Sequence, residues 1–139
     1  MAATAQTIEA PEWQMLLQWE QAGANLRRRR SLIKKLCDGI ARQFQPDKII
    51  LFGSYASGHP NVDSDVDLLV ILPFVDDPLR QAGKMLCQIT SEVGYLPMDL
   101  LVRTPEQVQY RLSIGDRFMK EITEKGKVMY EANHAGVGG

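Results

Sequence analysis

LFGSYASGHPNVDSDVDLLVIL, residues Leu51 to Leu72, starts apolar, breaks at Gly53 into small and polar residues, and turns apolar again at Val66. The two β-rich runs that flank the break predict two strands, the first ended by Gly53 and the second by Pro73. Asp63, Asp65 and Asp67 recur at alternate positions where the second run begins. Residues two apart on a strand face the same side, with Cα atoms about 7 Å apart, so Asp65 and Asp67 point together. Two ionised carboxylates that close repel, and burying either one unpaired is costly. Acids at the mouth of a buried strand therefore need a reason.

On the N-terminal side, Leu26, Ile33, Leu36, Cys37, Ile40 and Phe44 recur in three- and four-residue steps and predict a helix that stops before Pro46. KIILFG comes next as a buried strand. Further upstream, Pro11 can start a helix carrying Trp13, Met15, Leu16, Leu17 and Trp19, interrupted at Gly23. That apolar density suits core packing or a partner interface. Beyond Pro73, PLRQAGKMLCQITSEVG places Leu79, Met85, Leu86 and Ile89 at helical spacing, with Gly94 as C-cap. YLPMDLLVR is a third strand carrying Asp99. Thr104, Pro105 and Glu106 open another helical run as N-cap, first position and first-turn acid, and Gly115 and Asp116 divide that run into two helices. KVMYEA is a last short strand or an extended tail. The alternation argues one small α/β domain over residues 11–131, after a flexible lead-in (1–10) and before a disordered tail (132–139).

The bulk numbers fit this reading. The chain has 139 residues, 45% of them hydrophobic and 24% charged, and a net charge of −1. That is one soluble domain with no global pull toward nucleic acid or membrane. No apolar run approaches the roughly 20 residues that cross a bilayer. MAATAQTIEAPEW lacks the basic start and apolar stretch of a signal peptide, so the cytoplasm is the expected compartment. Charge is segregated: residues 27–48 hold eight Lys or Arg against Asp38 and Asp47, and residues 61–77 hold five Asp and no base. Arg27 to Arg30, with Lys34 and Lys35, read as a solvated basic face. An RNA contact is the alternative, weakened by the lack of interleaved aromatics. Cys37 and Cys87 lie in apolar-periodic segments without metal or redox spacing and are expected to be buried free thiols. His59 reads as a surface turn residue, and His134 carries no role.

A hard divalent cation would explain the acids. Mg²⁺ takes oxygen ligands, keeps several waters and shares its shell with substrate phosphates. If the strand of Asp99 neighbours that of Asp65 and Asp67, three carboxylates converge and can hold two metals about 3.5–4 Å apart, the arrangement that clamps attacking and leaving oxygens. In GSYASG, Gly53 permits close backbone approach, Ser54 offers a hydroxyl, and the next amides open a turn whose N-terminus suits anions. Taken singly, each feature has a plainer reading: an ordinary loop, a solvated strand end, and a helix cap or arginine partner for Asp99.

Ten residues separate Gly53-Ser54 from Asp65-Val66-Asp67. With an apolar strand before it and a later acid on a third strand, this pattern resembles the signature of the DNA polymerase β-type nucleotidyltransferase superfamily. The span from about Ile40 to Tyr130, including RTPEQVQYRLSIGDRFMKEITEKGKVMYE, resembles the minimal nucleotidyltransferase group. Members of that group are small single-domain proteins often encoded beside a HEPN-domain partner as antitoxin and toxin. The resemblance implies a mixed sheet flanked by helices, ATP as donor and two Mg²⁺ ions. It implies that Asp65 and Asp67 ligate both ions. Asp99 would ligate the ion nearer the acceptor and help deprotonate the attacking hydroxyl, and Gly53 and Ser54 would contact the triphosphate. Many members carry Arg where this chain has Ser57.

Forty residues come after Asp99, little room for an acceptor-holding domain, so the acceptor is expected to be another macromolecule or to need a second subunit. The function expected is Mg²⁺-dependent transfer of AMP from ATP to a hydroxyl of a HEPN-type toxin, with which the chain would form a hetero-oligomer as its antitoxin. The alternatives are neutralisation by binding alone, which the missing cation at Ser57 favours, and transfer to a small molecule.

Overall fold

The computed structural model describes residues 25–60, 64–93 and 96–133. The expected lead-in, the helix from Pro11 with its two tryptophans, Gly23, Asp63, the Gly94 cap, His134 and the rest of the tail lie outside the described residues. Helix α1 covers residues 25–44. It is followed by β1 (Lys48–Phe52), α2 (Ser54–Ser57), β2 (Val66–Ile71), α3 (Pro78–Val93), β3 (Met98–Arg103), α4 (Pro105–Ser113), α5 (Arg117–Lys125) and β4 (Lys127–Glu131).

The strands form one sheet in the order β3-β2-β1-β4. The β1–β2 and β1–β4 pairs are antiparallel, and β2–β3 is parallel. The expected mixed sheet is therefore present, in an α+β arrangement. KVMYEA resolves into an edge strand, and Ala132, expected to belong to the tail, still donates its amide to the Asp47 carbonyl.

Strand alternation splits the core into two layers. Ile49, Leu51, Val66, Leu68 and Val70 pack under α1 and α3 with Ile33, Leu36, Ile40, Met85 and Ile89. Ile50, Leu69 and Ile71 pack on the other face with Val108 of α4 and Met119 and Ile122 of α5. Each fully buried Leu or Ile contributes about 1.5–3 kcal/mol relative to exposure. Local signals set the helix starts. Thr104 and Gln107 close a capping box on α4, Asp116 caps α5, and Asp77 Oδ1 accepts from the amides of Leu79 and Arg80 as α3 begins.

Three expectations need correction. The buried face of α3 is Ala82, Met85 and Ile89, which leaves Leu79 86% exposed. The same helical phase turns Cys87 outward, so only Cys37 is a buried thiol. Burial, helped by the Asp38 charge, pushes Cys37 up to about 12, which makes it inert. In the arginine run, Arg29 is not simply solvated. Its guanidinium donates to the Tyr55 hydroxyl (3.2 Å) and to the Ser64 carbonyl (3.2 Å), tying α1 to α2 and to the approach of β2.

Candidate active site

The site is built on the parallel pair. Asp67 on β2 is in register with Asp99 on β3, and on its other side Asp67 is paired with Phe52 of β1. By strand alternation both carboxylates face the side covered by α4 and α5, where Leu69 and Leu101 continue the same rows into the core. The acids occupy the end of that face, where the helices no longer cover it.

Gly53 joins β1 to α2 at φ 74° and ψ −152°, a conformation essentially confined to glycine. A β-carbon there would collide with Asp67 Oδ2. Glycine is thus required twice, for the turn and for the approach of the carboxylate to backbone. The Gly53 carbonyl accepts from the amides of Ala56 and Ser57, which winds the short turn α2.

Asp67 is held above the ordinary aspartate range. Burial is the main cause, followed by the negative charges of Asp99 and Asp65 and by a hydrogen bond shared with Asp99. The crowding of the acids thus favours the neutral form of Asp67 over the charged one.

The pair opens into a cleft of about 790 Å³, a size suited to a small-molecule ligand. Gly53, Ala56 and Ser57 form one wall, and Phe118, Ile122 and Lys125 of α5 form another. Phe118 meets Phe52 edge to face, with centroids 5.7 Å apart and an interplanar angle of 83°. The sequence reading missed the α5 wall. Its signal was the spacing of Phe118, Ile122 and Lys125, which places them on one helical face.

Of the residues singled out from sequence, Gly53, Asp67 and Asp99 line the cleft together. Ser54 begins α2 half-buried beside it, and its carbonyl accepts from the Gly58 and His59 amides and the Ser57 hydroxyl. Asp65 is exposed, one residue ahead of β2, and reaches Asp67 through its charge. His59 is exposed, with Nδ1 2.9 Å from the Ser57 carbonyl, as expected of a turn residue.

Among the described residues, no three His, Cys, Asp or Glu side chains are gathered as a ready-made metal centre. Two carboxylates are gathered, and the third is nearby. Their chemistry fits a hard divalent cation: the donors are all carboxylate oxygens, and the repulsion that raises Asp67 is what a cation would relieve.

Comparisons with known proteins identify the family and the fold. The nucleotidyltransferase domain family matches residues 33–128, a span that contains both glycine turn and acids. A candidate protein adenylyltransferase from Methanocaldococcus jannaschii is 31% identical over 80 residues, 58% of this chain and 75% of that protein. The crystal structure of a candidate nucleotidyltransferase from Sulfolobus solfataricus superposes with a TM-score of 0.54 at 15% identity, covering 78% of this chain and 85% of the other. A toxin-antitoxin crystal structure with AMP-PNP gives a TM-score of 0.47 at 19% identity, covering 73% and 76%. The chain belongs to the nucleotidyltransferase domain family, and nucleotidyl transfer is the activity that membership carries.

Proposed function

We propose that this protein transfers AMP from ATP to a hydroxyl group of a protein partner, a HEPN-type toxin, and thereby acts as its antitoxin. The observation that carries the reading is the register of Asp67 with Asp99 at the floor of one cleft, with Gly53 backbone against Asp67. The protein adenylyltransferase relative supports AMP as the group moved and protein as the acceptor. The toxin partner rests on the resemblance of the glycine-serine turn and spaced acids to the minimal nucleotidyltransferases.

The reaction forms a bond between the acceptor oxygen and the α-phosphorus, breaks the bond to pyrophosphate, and releases the hydroxyl proton. Asp65, Asp67 and Asp99 would hold two Mg²⁺ ions, which supply charge neutralisation at the phosphates when bound. Asp99, on the strand farther from the Gly53 turn, would take the acceptor's proton. Gly53 lets the phosphates approach backbone, and the Ser54 turn offers donors. Orientation of acceptor and donor in the cleft supplies the rest of the rate.

Neutralisation by binding alone is the second reading. Ser57 favours it, because its hydroxyl donates back to the Ser54 carbonyl and adds no positive charge. Intact-mass analysis of the neighbouring gene product, after incubation with this protein, ATP and Mg²⁺, separates the two. A gain of one or more AMP masses supports transfer. Protection from toxicity without a gain supports occupation.

A further inference from the structure

The charge of the cleft is lopsided. Asp67, Asp99 and Glu121 line it as acids, and Lys125 is the single cation in its lining among the described residues. A nucleoside triphosphate brings several more negative charges, and in a partly desolvated cleft their repulsion by three carboxylates is strong. Metal ions held by the aspartates would answer part of it. The α2 wall brings no positive side chain. Among the described lining residues, the cation stands on the opposite wall.

Lys125 is built for that position. It ends α5 immediately before Gly126, whose amide donates to the Ile122 carbonyl. Gly126 packs so tightly on β1 that an added β-carbon would collide with Ile50 Cγ2 and the Ile122 carbonyl oxygen. The backbone at Lys125 is therefore fixed on the sheet while its side chain stays 78% exposed. Its partner, Glu121, sits one turn back with Nζ–Oε1 at 3.9 Å, and the Glu121 side chain is 66% exposed. A pair this long and this wet costs little to open.

We propose that Lys125 is the cation that receives the triphosphate of the donor nucleotide, and that Glu121 competes with the nucleotide for it. This rests on the nucleotidyltransferase reading and gives the α5 wall of the cleft a specificity residue. A lysine in the last turn also balances the helix dipole, which needs no ligand. The two roles separate by experiment. A dipole role predicts a small stability change and unchanged nucleotide affinity.

The test is titration of the full chain with Mg-ATP and with AMP, together with thermal melting. It compares the wild type, Lys125→Met, Lys125→Arg, Glu121→Gln and the double variant Lys125→Met with Ser57→Arg. Lys125→Met weakens ATP on the order of tenfold, the loss of one charge-assisted contact, and leaves AMP nearly unchanged. Lys125→Arg stays near wild type, and Glu121→Gln tightens ATP. Ser57→Arg, placing a cation on the facing wall, recovers part of the loss. If wild type binds ATP and Lys125→Met binds it equally well with a normal melt, the role of Lys125 is overturned and the active-site reading stands. If the wild type does not bind ATP at all, the active-site reading fails first.

Discussion

Gly53 and Asp67 are packed so closely that any β-carbon on Gly53 would overlap the Asp67 Oδ2 atom. The strand that carries the acid and the turn at the end of β1 are thus fitted to one another without a side chain between them. Gly53→Ala should cost stability twice. It puts a β-carbon at φ 74° and pushes the carboxylate aside. We expect a loss of about 1–3 kcal/mol in urea denaturation, together with loss of Mg-ATP binding in calorimetry. Unchanged binding would make the turn an ordinary loop.

Asp67 gives a pH prediction. The fold raises its affinity for a proton, so the native state holds more protons than the unfolded chain just above the ordinary aspartate pKa of about 4. The metal-free protein should lose stability as pH rises from there through the raised value of Asp67. Asp67→Asn should melt higher than wild type near neutrality and show a flatter profile across that window. The same variant should bind no Mg-ATP. A variant that melts lower at pH 7 would contradict the crowding seen between Asp67, Asp99 and Asp65.

Within the arginine run, only one member should matter to the fold. Arg29→Met removes the bonds to the Tyr55 hydroxyl and the Ser64 carbonyl. It should destabilise by about 1–2 kcal/mol. Arg27→Met and Arg28→Met, at exposed positions, should stay within about 0.5 kcal/mol of wild type. Equal effects at all three would mean that the run acts as a face and not through Arg29.

Much of the fold is legible in the sequence, for identifiable reasons. Gly53 and Pro73 bound short β-rich runs, so β1 and β2 can be read directly, and β3 is read within YLPMDLLVR although its strand begins only at Met98. Asp67 and Asp99 stand out because each interrupts such a run. Their register does not follow from the residues, since it depends on β2 and β3 pairing in parallel. The phase of α3 is misleading because Leu79, at its first turn, looks like part of the stripe, and that same phase error buries Cys87. Arg29 cannot be told from its neighbours without knowing where Tyr55 lies. The α5 wall escapes because Phe118 and Lys125 are far along the chain from the aspartates and join them only through the packing of Ile122 on the sheet.

The central claim, that the paired aspartates perform transfer and do not merely seat a nucleotide, is tested most directly at Asp99. Mg-ATP affinity and AMP transfer to the partner protein should be measured side by side for wild type and Asp99→Asn. The account predicts ATP affinity within a few-fold of wild type and no mass gain on the partner, a loss confined to the transition state. Full transfer by Asp99→Asn, or a wild type that binds ATP and partner yet never adds AMP to it, would contradict the account.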